Sequence, residues 1–411
     1  MTPQKDKLTI QGGIPVRSKP FPGWPVWDER EEKALLDTLH SGIWGAAGEE
    51  SQVDLFEGEF AQAHQAKYGR CVFNGTAALE VSLRAINIDY GDEVIVPAYT
   101  FLATATACLM VGAIPVFVDI DPNTYNLDPD KIEAALTPRT RAIIPVHIGG
   151  NPADMDRINE IAHRHHLWVI EDACQAHGAA WKGQRVGAIG DLGCFSFQSS
   201  KNINAGEGGI ILTNNEELAE MCWSIRNCGR IRQGKWYQHE VLGGNFRMTA
   251  WQAAILHAQL SRFEELARRR EENGLYLAEC LAQVDGFQPL ARDKRVTQHG
   301  YHLFICRYDS AAFNGLPRQS FLEALQAEGI PCSEGYLPLY RMKAIQDGTR
   351  RLKHFLSQED QAKTEPDCPV TERACYSEGV WFTQTMLLGT HADIDDIVTA
   401  VMKVKHLSPE L

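Results

Sequence analysis

The 411-residue chain reads as an α/β protein: a large domain on a mostly parallel central sheet, then a smaller C-terminal α+β domain. Three observations predict this. Between about residues 70 and 230, short β-branched runs alternate with longer amphipathic ones, as in successive βα units. The short runs are apolar throughout, which suits strands buried on both faces. Beyond Arg247 a long helical pattern replaces the alternation.

Taken in order, residues 76–88 read as a helix opened by Asn74-Gly75-Thr76. Strands at 94–96 and 116–118 bound a run of 25 residues, 94–118, that carries no charge. That is longer than the ~20 residues a membrane span needs. Pro97 and Pro115 nevertheless leave only 17 residues between them, with Thr100, Thr104 and Thr106 inside. Since Pro inside a helix costs about 3 kcal/mol, the run is a buried strand, helix and strand. Further strands are expected at 142–146, 167–170, 194–197 and 210–212, each bounded by Gly, Pro, Asp or Asn. Met155, Ile158, Ile161, Ala162 and His165 recur at helical spacing, as do Leu218, Met221, Cys222 and Ile225 within 216–226. Residues 249–272 form a long helix in which Glu264 and Glu265 precede Arg268 and Arg269 by four. Arg268 to Arg270 therefore read as a solvated, paired face. A strand at 301–308 and a helix at 318–328 belong to the smaller domain. The boundary falls near residue 256, dividing the chain into 1–255 and 256–411, and the lack of a Gly/Ser linker implies a rigid junction.

With 40 Lys+Arg against 53 Asp+Glu, the net charge is -13 and no local basic patch offsets it. Nucleic acid and anionic membranes are thus poor partners. The first 30 residues lack an apolar signal core, so the cytoplasm is the expected compartment. The 11 cysteines are odd in number, scattered and without a C-x-x-C pair, as small buried residues of a reducing compartment would be. His163, His165 and His166 look like a metal cluster, but His163 and His166 share a face without an acidic or thiol partner. A solvated helix end explains them. The motifs of common nucleotide-binding, zinc and serine-hydrolase sites do not occur.

Three segments sit where α/β sheets bind ligands, at the carboxyl ends of strands. In Asn74-Gly75-Thr76-Ala77, Gly75 permits a tight turn, and a helix start offers N–H groups, a hydroxyl and a dipole of about +0.5 charge to an anion. An ordinary N-cap threonine gives the same pattern. In Ile170-Glu171-Asp172-Ala173-Cys174-Gln175, a buried strand runs into two carboxylates that need partners. A structural salt bridge would satisfy them; alternatively, Asp172 holds a cationic heterocycle. In the segment from Ser196 to Gly209, Lys201 follows a buried strand, and Gly206, Gly208 and Gly209 let backbone approach something closely. Desolvation would lower the lysine pKa from about 10.4 and permit Schiff-base formation. An anion cradle, an acid for a pyridinium and a buried lysine together are the parts that hold pyridoxal phosphate.

With these segments in order, the sequence resembles the DegT/StrS-type aminotransferases, from Gly12-Gly13-Ile14-Pro15 through Gly91-Asp92-Glu93-Val94 to Cys368-Pro369-Val370-Thr371. The resemblance implies a fold-type I pyridoxal-phosphate enzyme that moves an amino group from glutamine or glutamate to a keto-sugar or ketocyclitol. By position, Lys201 resembles the Schiff-base lysine, Asp172 the partner of the pyridine nitrogen and Gln175 the group near the ring hydroxyl. Gly75, Thr76 and Ser196 resemble the phosphate cradle, and Phe101 the ring that stacks on the cofactor. Asn245, in Gly243-Gly244-Asn245-Phe246, resembles the residue that reaches the neighbouring subunit's phosphate, which implies a homodimer with shared sites. No metal is implied.

Two departures, Gln198 where His is frequent and the missing aromatic in His147-Ile148-Gly149-Gly150, argue against a nucleotide-sugar. With Gly379-Val380-Trp381-Phe382, they resemble the branch of glutamine:scyllo-inosose aminotransferases and aminohydroxybenzoate synthases. Related proteins act as dehydratases; the sugar dehydratases carry His at the lysine position, so Lys201 opposes that variant, while an aromatising synthase keeps its Lys. A non-catalytic regulator would not need Lys201, Asp172 and Gln175 together. Substrate contacts are expected in loops around Trp44 and 230–239.

Overall fold

The structure, a computed structural model, describes residues 7–45, 51–354 and 366–410; the first six residues of the segment read for a signal core lie outside them. Helices α1 (Glu29–Ser41) and α2 (Gln52–Ala63) lead into β1 (Tyr68–Val72), α3 (Gly75–Ala85), β2 (Glu93–Pro97), α4 (Ala103–Met110) and β3 (Ile114–Val118). There follow α5 (Pro129–Ile132), β4 (Thr140–Ile143), α6 (Met155–His165), β5 (Trp168–Asp172), the short pair β6 (Ala180–Trp181) and β7 (Gln184–Arg185), β8 (Leu192–Ser196), β9 (Gly209–Thr213) and α7 (Glu216–Arg226). The remainder comprises α8 (Ala250–Leu281), β10 (Phe287–Pro289), β11 (Val296–Gln298), β12 (Leu303–Tyr308), α9 (Arg318–Ala327), α10 (Lys343–Lys353), α11 (Pro369–Arg373), β13 (Gly379–Thr383) and α12 (His391–Leu407).

Among the described residues, seven strands form the main sheet in the order β1-β9-β8-β5-β4-β2-β3. From β8 through β5, β4 and β2 to β3 every pairing is parallel, and β9 alone runs against its neighbours β8 and β1. Apolar strands make this possible: β2, β8 and β9 are buried along their whole length. The uncharged run 94–118 resolves into β2, the short buried α4 and β3, as its prolines require. No helix among the described residues is long and apolar enough to cross a membrane. A second sheet, β10-β12-β13, is antiparallel and shares a core with α8, α9 and α12. Helix α8 passes through residues 255 and 256 without a break.

Where the elements differ from the sequence reading, the causes are local. Strand β1 escaped notice because Gly69 and Arg70 interrupt its apolar pattern; the Gly69 position is so close to Glu57 that a Cβ would lie 2.6 Å from its carbonyl oxygen. Strand β4 stops at Ile143, short of the expected 146, because Pro145 has no N–H for the ladder. Helix α8 continues through Asn273-Gly274, which looks like a turn. Asn273 is held by the carbonyls of Leu387 and Gly389, and Gly274 makes room for the Tyr301 ring.

The basic face 268–270 is corrected. Arg268 is exposed and pairs with Glu272 at 2.6 Å, Glu264 pairs instead with Arg185 at 3.1 Å, and Arg270 is fully buried. The helical stripe that includes Arg270 faces the core, so spacing of charges alone misassigned it. His163 and His165 lie in the exposed last turn of α6, with His165 on Glu133. Seven of the 11 cysteines are buried and all are free.

Candidate active site

Strands β5 and β8 lie side by side in mid-sheet, and their carboxyl ends open into a cavity of about 740 Å3. Consecutive strand residues point to opposite faces, which separates the two carboxylates of Glu171-Asp172. Glu171 is completely buried and saturated: it faces His147 Nε2 at 2.9 Å and accepts the N–H groups of Gly187, Ile189 and Gly190 at 2.7–2.8 Å. It is a structural anchor. Asp172 lines the cavity, where it accepts the Thr104 hydroxyl at 2.8 Å and the Cys174 N–H at 3.2 Å. Glu171→Ala should therefore destabilise the fold by about 3 kcal/mol or more, because it strands the buried His147 and Gly187 donors and two half-buried N–H groups. Chemical denaturation measures this, and a loss below about 1 kcal/mol would contradict the anchor role.

Lys201 follows β8, its N–H donating to the Gln198 carbonyl at 2.8 Å. Its Nζ lies 3.5 Å from His302 Nε2. Burial pushes the ammonium pKa below the usual lysine range, although Cys174 and Asp172 oppose the shift. His302 and His177 are themselves held well below the usual imidazole range, first by burial and then by neighbouring positive charge. The lysine thus stands among neutral imidazoles with Asp172 as an acidic neighbour. Desolvation there favours the free amine, the form that attacks carbonyls, while Asp172 pulls the other way.

The segments expected to form an anion cradle meet at one cavity wall, with one correction to the helix cap. Helix α3 starts at Gly75, and its cap is Asn74, not Thr76: the Asn74 side chain takes the Ala77 N–H at 2.8 Å and its carbonyl takes that of Ala78. The Gly75 and Thr76 amides precede the helical ladder, as the first amides of any helix do, and both residues line the cavity. Gly75 serves close approach and not a turn, since a Cβ there would fall 2.7 Å from Ser196 Cβ and 2.9 Å from Cys174 Sγ. Ser196, at the end of β8, lines the same wall. Of the three later glycines, Gly209 admits the chain's own Asn74 rather than a ligand.

Gln175 is buried with both ends used: Oε1 accepts the Gly149 N–H at 2.8 Å and Nε2 donates to the Tyr336 hydroxyl at 2.7 Å. The segment that lacks the common aromatic, 147–150, thus orients Gln175 and Glu171. Phe101 is 51% exposed on the cavity wall. Asn245 is exposed and does not line its own chain's cavity. Neither do Trp44 nor residues 230–239, so within one copy the expected substrate loops stand apart from the site.

Sequence reasoning missed Trp24, Thr104, His302, Tyr336 and Gln384, which complete the walls or brace them. They come from five separate elements and share no spacing. Thr104 was visible only as a polar interruption of an apolar run, and Trp381, beside Tyr336 with ring centroids 4.5 Å apart, only within the motif that carried the branch resemblance. Among the described residues no group of three or more His, Cys, Asp and Glu could hold a metal ion.

The sequence profile of the DegT/DnrJ/EryC1/StrS aminotransferase family matches residues 25–402. The chain belongs to that family. As an aminotransferase-family enzyme it is 40% identical, over 97% of its length and 98% of the relative's, to a protein of Streptoalloteichus tenebrarius provisionally named L-glutamine:3-amino-2,3-dideoxy-scyllo-inosose aminotransferase. The L-glutamine:2-deoxy-scyllo-inosose aminotransferase of the same organism is 37% identical over 98% of this enzyme and 99% of its own chain. Among solved structures, that of 3-amino-5-hydroxybenzoic acid synthase superposes with a TM-score of 0.84 at 34% identity, covering 94% of this enzyme and 100% of that chain. The α/β fold with its mostly parallel sheet is therefore that of the family, as its sequence resemblance implied.

Proposed function

We propose that this enzyme transfers the amino group of glutamine or glutamate to a ketocyclitol, using pyridoxal phosphate held in the cavity at the ends of β5 and β8. The observation that carries the reading is the desolvated Lys201 amine in a cavity that also presents Asp172 and the start of α3. The chain's residues fit the cofactor. The Gly75 and Thr76 amides with the Thr76 and Ser196 hydroxyls suit a phosphate, Asp172 suits a pyridinium, Gln175 and Tyr336 suit a ring hydroxyl, and the half-exposed Phe101 offers a face for stacking. Pyridoxal phosphate supplies a reactive aldehyde and an electron-accepting ring for moving an amino group.

Lys201 Nζ, its pKa lowered by burial, would bind the cofactor's aldehyde carbon as nucleophile and hold or move a proton at the donor's α-carbon as base. Asp172, with one oxygen fixed by Thr104, holds a proton at the ring nitrogen. Thr383, Thr385 and Ser200 at the cavity wall offer hydroxyls to a polyhydroxylated ring. The names of the relatives supply glutamine and an inosose as the donor and acceptor classes.

A homodimer with shared sites, each Asn245 serving the other subunit, accounts for Trp236, Tyr237 and Leu242, which are 76–85% exposed. The division at 255/256 and a cytoplasmic location belong to the same reading. The test is product analysis with scyllo-inosose or a nucleotide-linked keto-sugar, each with glutamine or glutamate. Amine formation from the inosose is expected. Loss of water without a donor would favour an aromatising synthase, and no turnover would remove both.

A further inference from the structure

The fold neutralises its other deeply buried guanidinium groups but leaves one without a carboxylate. Arg17, Arg226 and Arg262 are paired with Asp393, Glu57 and Glu31. Arg270 of α8 is equally buried, yet its Nη1 and Nη2 have no hydrogen-bond partner among the described residues. Its Nε donates to Gln384 Oε1 at 2.8 Å, and its Cζ sits 5.2 Å from the centroid of the Trp24 ring. Burial lowers the guanidinium pKa only to about 9, so the charge persists at neutral pH. An unpaired buried charge is among the costlier features a fold can retain.

Arg270 does not line the cavity, but Gln384 does, on the turn after β13. A guanidinium can only donate, so the Gln384 oxygen must face it and the NH2 group is left to the cavity. The amide thereby presents its donors with a positive charge behind them. His302, whose Nε2 lies 3.5 Å from Lys201 Nζ, also feels the Arg270 charge, which places this wall near the lysine. The cofactor's phosphate has a separate place at the start of α3. A neutral ketocyclitol would not call for a buried cation, whereas glutamine and glutamate both bring an α-carboxylate next to the carbon that must reach Lys201.

We propose that Gln384 binds the α-carboxylate of the amino donor, with Arg270 as the positioning residue that fixes the amide and supplies the charge. The proposal rests on the aminotransfer reading, and its test is chosen to be separable from it. Calorimetric titration of the pyridoxal-phosphate-loaded enzyme compares glutarate with glutaramide, which has the same length and no carboxylate. The wild type should bind glutarate at least about tenfold more tightly. Gln384→Glu, which gives Arg270 an internal partner, should raise the melting temperature and reduce that preference to about twofold or less; Arg270→Met should also reduce it. In turnover, Gln384→Glu should raise KM for the donor about tenfold or more and that for the ketocyclitol by about twofold at most. Undiminished glutarate preference in both variants, or equal losses for donor and acceptor, would overturn the proposal. Absence of amino transfer by the wild type would count against the functional reading alone, because the carboxylate preference is read from binding.

Discussion

Lys201→Ala is expected to reduce amino transfer by about a thousandfold or more while leaving the protein folded, because the substitution removes the group proposed as both nucleophile and base. The fold should in fact gain. Burial lowers the folded-state pKa of this ammonium, so folding disfavours its charged form. Between the folded and unfolded pKa values the unfolded chain binds more protons, and this group's effect makes stability rise with pH through that interval. Burying this amine is therefore a cost, and Lys201→Met should raise the melting temperature of the cofactor-free protein. A variant that keeps more than about a tenth of wild-type turnover would remove Lys201 from the chemistry.

Asp172→Asn should lower kcat by about a hundredfold or more while changing pyridoxal phosphate affinity far less. The asparagine oxygen can still accept from Thr104 or Cys174, so the site keeps its shape. What is lost is the carboxylate proposed to hold a proton on the ring nitrogen. Stopped-flow measurement of the half-reaction with glutamine isolates that step. Near-normal turnover would show that Asp172 is only a structural partner of Thr104.

Glu171 and Asp172 show how far the sequence could be read. The buried strand and its two terminal carboxylates were legible, but not that the two residues part ways, one to the core and one to the cavity wall. Glu171 is the satisfied anchor and Asp172 the cavity carboxylate, a division made by side-chain alternation against neighbours the sequence does not place. The apolar runs of β2, β3, β5, β8 and β9 were legible because burial on both faces leaves no polar positions. Strand β1 was not, since Gly69 and Arg70 meet local needs of α2 and α7. The Asn74-Gly75-Thr76 motif was legible, whereas the helix cap falls on Asn74, two residues before the threonine. Arg270 was hidden by a charge pattern that is satisfied elsewhere. Trp24, His302, Tyr336 and Gln384 come together only through the tertiary fold, so no spacing announced them.

The claim at the centre of this account is that Lys201 holds the cofactor in the cavity between β5 and β8. Borohydride reduction of the protein with pyridoxal phosphate, followed by peptide mass mapping, tests it most directly. The account predicts one cofactor adduct, on the peptide that contains Lys201, and none at that peptide in Lys201→Ala. An adduct confined to another lysine, or a wild-type protein that takes up no cofactor, would contradict it.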